Sequence, residues 1–400
     1  MNPALPVLFS AAFLTMCGWT LFVAVAIWVI PPVVWFLARR LPATQKIPLD
    51  TCPVVVVIVP ARNEEAAVAQ ALTSILKSNY PKLHLIAVND RSTDRTGPLM
   101  VEACRNDARA TVIHIDHLPE GWLGKNQAMH VAAQQAFEKF PGDEGMLLLF
   151  TDGDVIYEAA AISSAVEYLG RKSLDHLCLL PRMIPGSFLE NSVVAFFGFA
   201  VAIGQQTHLV TTRWPLAYAG VGAFNLIRSD VYRRFEGHRP IAMDVLDDMK
   251  LGKLVKQNGG RQDFLGAPDV LSIRWYNSLW QVITGLEKNG YASLSYSRWQ
   301  LATTTVIFFA TMVAPYLLSV LLPGEQAVGF MATVVLWHVM YVITAIGFGG
   351  SLLLLPMFPV GAWLMAFAFW RSAWITERQG GIRWRDSFYP LDELRRRILR

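Results

Sequence analysis

The chain has 400 residues, 53% of them hydrophobic and only 16% charged, with 13 Trp, 22 Phe and a net charge of +4. Soluble domains carry about 25% charged residues, so this balance, with a mean hydropathy of +0.35, argues against an ordinary soluble protein and for a membrane protein with a sizeable water-soluble part. No basic stripe interleaved with aromatics is present, which argues against nucleic acid as a partner, and the scattered Cys17, Cys52, Cys104 and Cys178 form neither a zinc pair nor a disulfide frame.

Leu5 to Leu37 contains no Asp, Glu, Lys or Arg and exceeds the ~20 residues that cross a bilayer. It lacks a short apolar core followed by a cleavage site, so it reads as an anchor (residues 1–40) and not as a removed signal. Pro31-Pro32 is expected to bend or end its helix. Arg39 and Arg40 follow at once and assign this end to the cytoplasm by the positive-inside rule.

Residues 41–300 read as the water-soluble domain. The continuous β-branched run Val54–Val59 predicts a strand buried on both faces, ending on Pro60-Ala-Arg62-Asn-Glu64-Glu65 before a helix from Ala66 to about Ser78. Leu83–Val88 predicts a second strand ending at Asn89-Asp90, and Ala110–Ile115 a third, with a helix between them. Strands alternating with helices predict a parallel α/β sheet with its ligand site along the carboxyl edge. Glu64 and Glu65 also suit a helix's first turn with no ligand at all.

Leu147-Leu-Leu-Phe-Thr-Asp-Gly-Asp-Val155 is the most informative stretch. An apolar strand ends on Asp152 and Asp154, separated by Gly153. Two acids so spaced, with close backbone approach allowed by the glycine, can hold a hard divalent cation shared with substrate phosphates. By itself the same pattern is more often an Asx-rich turn with solvated acids.

Further on, Pro181–Gly186 leads into Ser192–Ile203, a twelve-residue apolar run too short for a comfortable span. It reads as a helix of the domain core or one lying at the membrane interface. Ala219–Asn225 is glycine-rich but forms no G-x-G-x-x-G dinucleotide pattern. Val245–Gly252 places Asp247 and Asp248 at a helix head, where N-capping is the alternative role. Tyr276–Tyr296 predicts a helix ending on Ser295-Tyr-Ser-Arg298-Trp299, and an Arg–Trp pair before a span is also an ordinary interfacial anchor. Leu301–Leu322, Ala327–Gly347 and Ser351–Trp370 are three candidate spans within residues 301–370, followed by a basic tail at 371–400.

The ordered elements P-A-R-N-E-E, V-N-D-R-S-x-D, G-W-L-G-K-x-x-A and T-D-G-D resemble the family 2 glycosyltransferases. Gly121–Lys125 further resembles the membrane-bound hopene-associated, carotenoid and ceramide-type members. The likeness covers roughly residues 53 to 300 together with the flanking hydrophobic segments. It implies a GT-A fold, that is, a Rossmann-like nucleotide-diphospho-sugar transferase domain with N- and C-terminal transmembrane helices.

The resemblance also implies roles. Pro60, Arg62, Glu64 and Asp90 would contact the nucleotide of the donor, Lys125 its diphosphate, and Asp152 with Asp154 a Mg²⁺ or Mn²⁺ ion. Gly220 and Gly222 would line the acceptor pocket, with Arg298 and Trp299 from a Q-x-x-R-W-like element in which Ser295 replaces Gln. Asp248 would be the catalytic base, Asp247 standing where the family more often has Glu.

The expected activity is inverting, metal-dependent transfer from a nucleotide sugar, preferably a UDP-sugar, to a hopanoid- or carotenoid-type lipid. It would occur at the cytoplasmic face of the cell (inner) membrane. The alternatives are a processive polysaccharide synthase and an inactive nucleotide-binding membrane scaffold. The tail carries eight arginines against four acids, which by the positive-inside rule keeps it cytoplasmic. The segment holding Gly349-Gly350, Pro356 and Pro359 is then expected to be re-entrant, and Trp384–Tyr389 resembles a W-x-x-R-Y-like element after the last span.

Overall fold

The computed structural model describes residues 4–43, 52–143, 145–184, 186–274, 278–347, 352–384 and 387–399. In chain order the elements begin with α1 (Ala4–Ala38), β1 (Val55–Ala61), α2 (Val68–Leu76), β2 (Leu83–Asp90), α3 (Thr96–Cys104), β3 (Ala110–Ile115) and α4 (Gly124–Lys139). Next come β4 (Leu147–Phe150), β5 (Val155–Tyr157), α5 (Ala161–Arg171), β6 (His176–Leu180), β7 (Arg182–Met183), α6 (Phe188–Gly204), β8 (Asn225–Arg228) and α7 (Ser229–Arg234). The remainder is α8 (Asp247–Gln257), β9 (Gln262–Gly266), β10 (Leu271–Ile273), α9 (Leu279–Ser293), α10 (Arg298–Phe308), α11 (Ala314–Leu321), α12 (Glu325–Gly347), α13 (Phe358–Gln379), β11 (Gly381–Trp384), β12 (Ser387–Pro390) and α14 (Leu391–Arg397).

Packing divides the chain into two units that cut across the contiguous segments expected from sequence. One comprises Ala38–Ile184, Thr207–Trp275 and Asp392–Arg400; the other comprises Met1–Leu37, Pro185–Gln206 and Tyr276–Leu391.

The first unit is built on a seven-stranded sheet in the order β3-β2-β1-β4-β8-β6-β9. The strand run 54–59 explains its centre. Val55, Val57 and Val59 enter one buried cluster while Val56 and Ile58 enter the cluster on the opposite face, the period-2 alternation of a strand covered by helices on both sides.

The sheet is mixed, where a parallel one is expected from sequence. β1, β2, β3 and β4 run parallel, but β8 is antiparallel to both β4 and β6. Its direction has a consequence: Asn225 pairs with Phe150, so β8 starts where β4 ends. The glycine-rich loop before β8 therefore meets the acids after β4. Arg39, read from sequence only as a topology signal, donates to both oxygens of Asp263 at 3.0 and 2.7 Å within this unit.

The second unit holds the long apolar helices. Among the described residues five segments have the length and composition to cross a membrane: Ser10–Trp35, Phe188–Leu209, Arg298–Leu321, Glu325–Gly347 and Leu352–Gln379. Two sequence expectations change here.

α1 runs through Pro31 and Pro32 to Ala38 instead of ending at them. Proline at 32 cannot bond the Trp28 carbonyl, and Gln206 Nε2 supplies a donor to that oxygen at 3.4 Å. α6 has 17 residues, not twelve, because Ser187 and Glu190 form a reciprocal capping box that absorbs the charge at the helix start. It packs among α9, α12 and α13 and belongs to their unit, where a helix of the domain core was one expectation.

The same logic governs the break between α10 and α11. Phe309–Val313 forms a π-helical turn before Pro315, and the Thr311 carbonyl that the proline leaves free accepts from Trp337 Nε1 at 3.0 Å. The expected third span begins with a 3₁₀ turn, Leu352–Met357, and continues as α13. Gly349-Gly350, Ser351, the Tyr276 helix start and Arg385-Asp386 lie outside the described residues. Trp384 ends β11 and pairs with Ser387 at the start of β12, and Lys288 Nζ lies 4.0 Å from the Trp384 ring centre.

Candidate active site

The loop after β1 and the loop after β2 are knitted together before any ligand is considered. Asn63 sits at φ +53° and its Oδ1 accepts from Thr93 N at 2.8 Å. Glu64 N donates to Thr96 Oγ1 at 2.7 Å, and Glu65 accepts from Arg95 N at 3.1 Å. Glu65 thus has a structural use, and the negative charge of Glu64 is felt at Asp154. Pro60 lies in β1 opposite Val88, and Arg62 follows one residue past the end of the strand.

Asp90 ends β2 and is buried, its carboxylate held in a fork by Arg91 at 2.7 and 3.1 Å. A carboxylate offers about four lone-pair sites, so this fork leaves acceptors over for a ribose hydroxyl or base N–H.

Lys125, at the start of α4, reaches across the sheet edge to two acids. Its Nζ lies 2.8 Å from Asp152 and 3.2 Å from Asp247. Burial by itself would lower this ammonium, but Asp152, Asp247 and Asp248 outweigh burial and hold its pKa above the ordinary lysine value.

The acids flanking Gly153 differ sharply. Asp152 is over a third exposed and paired with Lys125, and its N–H donates to Gly222 O at 3.0 Å. Asp154 is more enclosed, and its Oδ1 is buried with no hydrogen-bond partner among the described residues. Burial, then the charges of Asp152 and Glu64, push its carboxyl up to about 7. A buried carboxylate oxygen with no donor, beside two further acids, is a site short of positive charge. Asp152 and Asp154 therefore fit a hard cation that completes its coordination with phosphate and water oxygens. Among the described residues no third His, Cys, Asp or Glu joins them as a ready-made protein cage.

Gly222 links this pair to the second one. Its N–H donates to Asp248 Oδ2 at 2.8 Å, while its carbonyl accepts from Asp152. Asp248 Oδ1 accepts from Met249 N at 2.7 Å. The two glycines assigned to an acceptor pocket have a nearer reason to be glycine. A Cβ on Gly220 would fall 1.9 Å from the Asp248 carbonyl, and one on Gly222 would fall 2.5 Å from Asp152 Oδ2.

Arg298 and Trp299 are not brought to these acids as parts of one unit; they begin α10 in the other, where Arg298 pairs with Glu377 at 2.6 Å and Trp299 is 79% exposed.

Several supporting residues escape sequence reasoning. Asn225 Nδ2 donates to Asp248 O at 3.3 Å, and its Oδ1 is bonded by the buried His176 ring. Asn126 Nδ2 donates to Ile241 O at 2.7 Å and Asp244 O at 2.9 Å, tying the Lys125 loop to the turn before the acid pair. The adjacency of Asn225 to the glycine run and of Asn126 to Lys125 is a signal that could have found them. His238, beneath Lys125, is pushed down to about 3 by burial first and then by His130 and Lys125, so it is neutral and cannot serve as an acid near pH 7.

Comparison with known proteins adds the following. Residues 56–235 match the family model described as Glycosyl transferase family 2. A 4,4'-diaponeurosporenoate glycosyltransferase of Staphylococcus haemolyticus is 22% identical over 206 residues, covering 51% of this chain and 52% of the relative. The protein of the same name from Staphylococcus aureus strain MRSA252 is 25% identical over 202 residues, covering 49% of each. The chain thus spans about half the length of the curated relatives it matches. A solved mannosyltransferase from Pyrobaculum calidifontis, in complex with GDP-Man and Mn²⁺, aligns with 91% of this chain and 99% of its own at 16% identity, with a TM-score of 0.49.

Proposed function

We propose that this chain, whose residues 56–235 match the family 2 glycosyltransferase model, transfers a sugar from a nucleotide sugar to an apolar lipid acceptor at a membrane surface. The observation that carries this reading is the convergence of Asp152 and Asp154 with Lys125, Asp247 and Asp248 at one sheet edge, joined through Gly222.

In this reading Asp90 accepts from the nucleoside, with Pro60, Arg62 and Glu64 forming the adjoining wall; UDP is the preferred nucleotide. Asp152 and Asp154 would hold Mg²⁺ or Mn²⁺, which when bound neutralises the departing diphosphate. Lys125, charged throughout the working pH range, can pass from its carboxylate partners to the diphosphate when donor arrives. Asp248 takes the acceptor proton as general base, and attack from the opposite face gives inversion. The two amides that hold its oxygens fix its direction. Asp247 remains the partner of Lys125. Gly220 and Gly222 bring the acceptor wall close to the acids, while Arg298 and Trp299 are reserved for the acceptor side of the reaction.

Relatives named as diaponeurosporenoate glycosyltransferases support a carotenoid-type acceptor, and a hopanoid-type lipid belongs to the same apolar class. Sheet pairing supports an arrangement in the membrane. β6 before α6 and β8 after it are neighbours in one sheet, so the chain leaves and returns on the same side and α6 does not cross. Residues 392–400 belong to the same unit as that sheet. An even number of crossings between α9 and α14 follows, so at least one of the three apolar segments there does not cross either. With Arg39 and Arg40 at the end of α1 and nucleotide sugars inside the cell, the cytoplasmic face of the cell membrane is the favoured side.

The test is to feed labelled sugar to cells with and without the protein and separate their lipids. A new labelled apolar lipid is expected. Label appearing only in a polymer would favour a processive synthase instead.

A further inference from the structure

Residues near the end of the chain contact both sides of the proposed site. Leu399 N donates to Asp244 Oδ2 at 3.0 Å, three residues before Asp247. The carbonyl of the same residue accepts from the Lys250 ammonium, two residues after Asp248. One backbone unit therefore brackets the turn that carries the acid pair. Asp244 is only 1% exposed, and Lys250 Nζ lies 3.9 Å from its other oxygen. On the other wall, Arg397 lies against Gly121, so close that a Cβ there would fall 2.1 Å from Nη1. The Leu399 side chain packs against the cluster that holds Leu251, Leu254 and Met129 of α8 and α4.

These contacts close a circuit. Asn126 ties the Lys125 loop to the Asp244 carbonyl, Asp244 and Lys250 hold Leu399, and the tail returns to Gly121 two residues earlier. The acid-pair turn and the lysine loop lie on separate elements, and nothing in the sheet ladder sets their spacing. Displacement of a reacting group by about 1 Å can cost 10²-fold in rate.

We propose that residues Asp392–Leu399 are a positioning strap of the catalytic site, with Asp244 and Lys250 as its receptors and Gly121 as its second point of attachment. Its effect on turnover rests on the transferase reading above; its effect on the turn does not. Burial of Asp244 fits this role. Burial pushes its carboxyl up to about 6 while the Leu399 amide and Lys250 draw it down, so removing the strap leaves a buried acid short of partners.

The test uses the full chain in detergent or lipid nanodiscs. Leu399→Pro deletes the donated N–H, Leu399→Ala keeps both backbone bonds, and Arg397→Ala releases the Gly121 attachment together with the exposed Arg397–Glu393 ion pair. Hydrogen exchange at residues 241–250 should rise by about tenfold or more in Leu399→Pro and stay near wild type in Leu399→Ala. Arg397→Ala should speed exchange at residues 121–126. Turnover of the Leu399→Pro chain should fall by about tenfold, with the donor KM within about twofold, the pattern of a displaced reacting group. Wild-type exchange at 241–250 in Leu399→Pro, or an unchanged kcat, overturns the strap. Should Leu399→Pro fail to fold, unchanged exchange at 121–126 in Arg397→Ala does the same. A wild-type chain that turns over no nucleotide sugar counts against the transferase reading, and exchange alone then decides the strap.

Discussion

Gly222 donates its amide N–H to Asp248 Oδ2 at 2.8 Å, and through its carbonyl it also holds the backbone of Asp152. The proposed base and one proposed metal ligand are thus positioned by one residue, on a loop that reaches them because β8 runs antiparallel to β4.

Gly220→Ala and Gly222→Ala should fail in different ways. At Gly220 an added methyl meets the Asp248 backbone, which cannot swing aside, and overpacking of this kind costs roughly 1–3 kcal/mol. At Gly222 it meets the end of the Asp152 side chain, which can rotate away from its place. Thermal unfolding should show a lower Tm for Gly220→Ala, while Gly222→Ala should keep its Tm and lose about tenfold or more in kcat. Equal Tm values for the two variants would contradict the assignment.

Lys125 neutralises three carboxylates, so its removal should cost stability as well as activity. Breaking a buried ion pair costs roughly 3–5 kcal/mol, and the partial exposure of Lys125 brings the expected loss for Lys125→Met below that range. The double variant Lys125→Met/Asp247→Asn removes one of the stranded charges and should regain much of the Tm without regaining turnover. A Lys125→Met chain as stable as wild type would remove the electrostatic account.

Asp154 makes cation binding pH-dependent in a definite direction. Its folded pKa, about 7, lies above the ordinary carboxyl value, so between the two the folded state holds the extra proton. Without a cation, its contribution to stability therefore falls as pH rises through this window. A divalent ion competes with that proton, so the Tm gain from Mn²⁺ should be larger at pH 8 than at pH 6. Asp154→Asn should abolish the gain while raising or preserving the Tm of the ion-free chain at pH 8. The same gain at both pH values, or a gain retained in Asp154→Asn, would show that the ion sits elsewhere.

How much of this was legible in the sequence depended on what each residue's neighbours were. The Val54–Val59 run and the acids after Phe150 announced their elements because local pattern and role coincide. The direction of β8 did not, since four residues, Asn225–Arg228, carry no signal of which way they enter a sheet. The apolar run Ser192–Ile203 marks only part of α6, because the Ser187–Glu190 capping box carries the helix start outside that run. Pro31 and Pro32 looked like an end because the partner that satisfies the Trp28 carbonyl, Gln206, is 178 residues away. Asp90 was expected to await a ligand, and its first partner proved to be the adjacent Arg91. The hydrogen bonds of Leu399 to Asp244 and Lys250 are made by its backbone, which any residue type except proline would share.

The central claim is that Asp248 is the base of a sugar transfer, and comparing Asp248→Asn with Asp247→Asn tests it most directly. Asparagine keeps size and hydrogen bonding but cannot take a proton, and loss of a general base typically costs 10²–10⁴-fold. Measured in the purified full chain with nucleotide sugar and lipid acceptor, kcat for Asp248→Asn should fall into that range with donor binding unchanged, and Asp247→Asn should weaken the Lys125 side of the site with a smaller loss. A near-normal kcat in Asp248→Asn beside a collapsed one in Asp247→Asn would contradict the account.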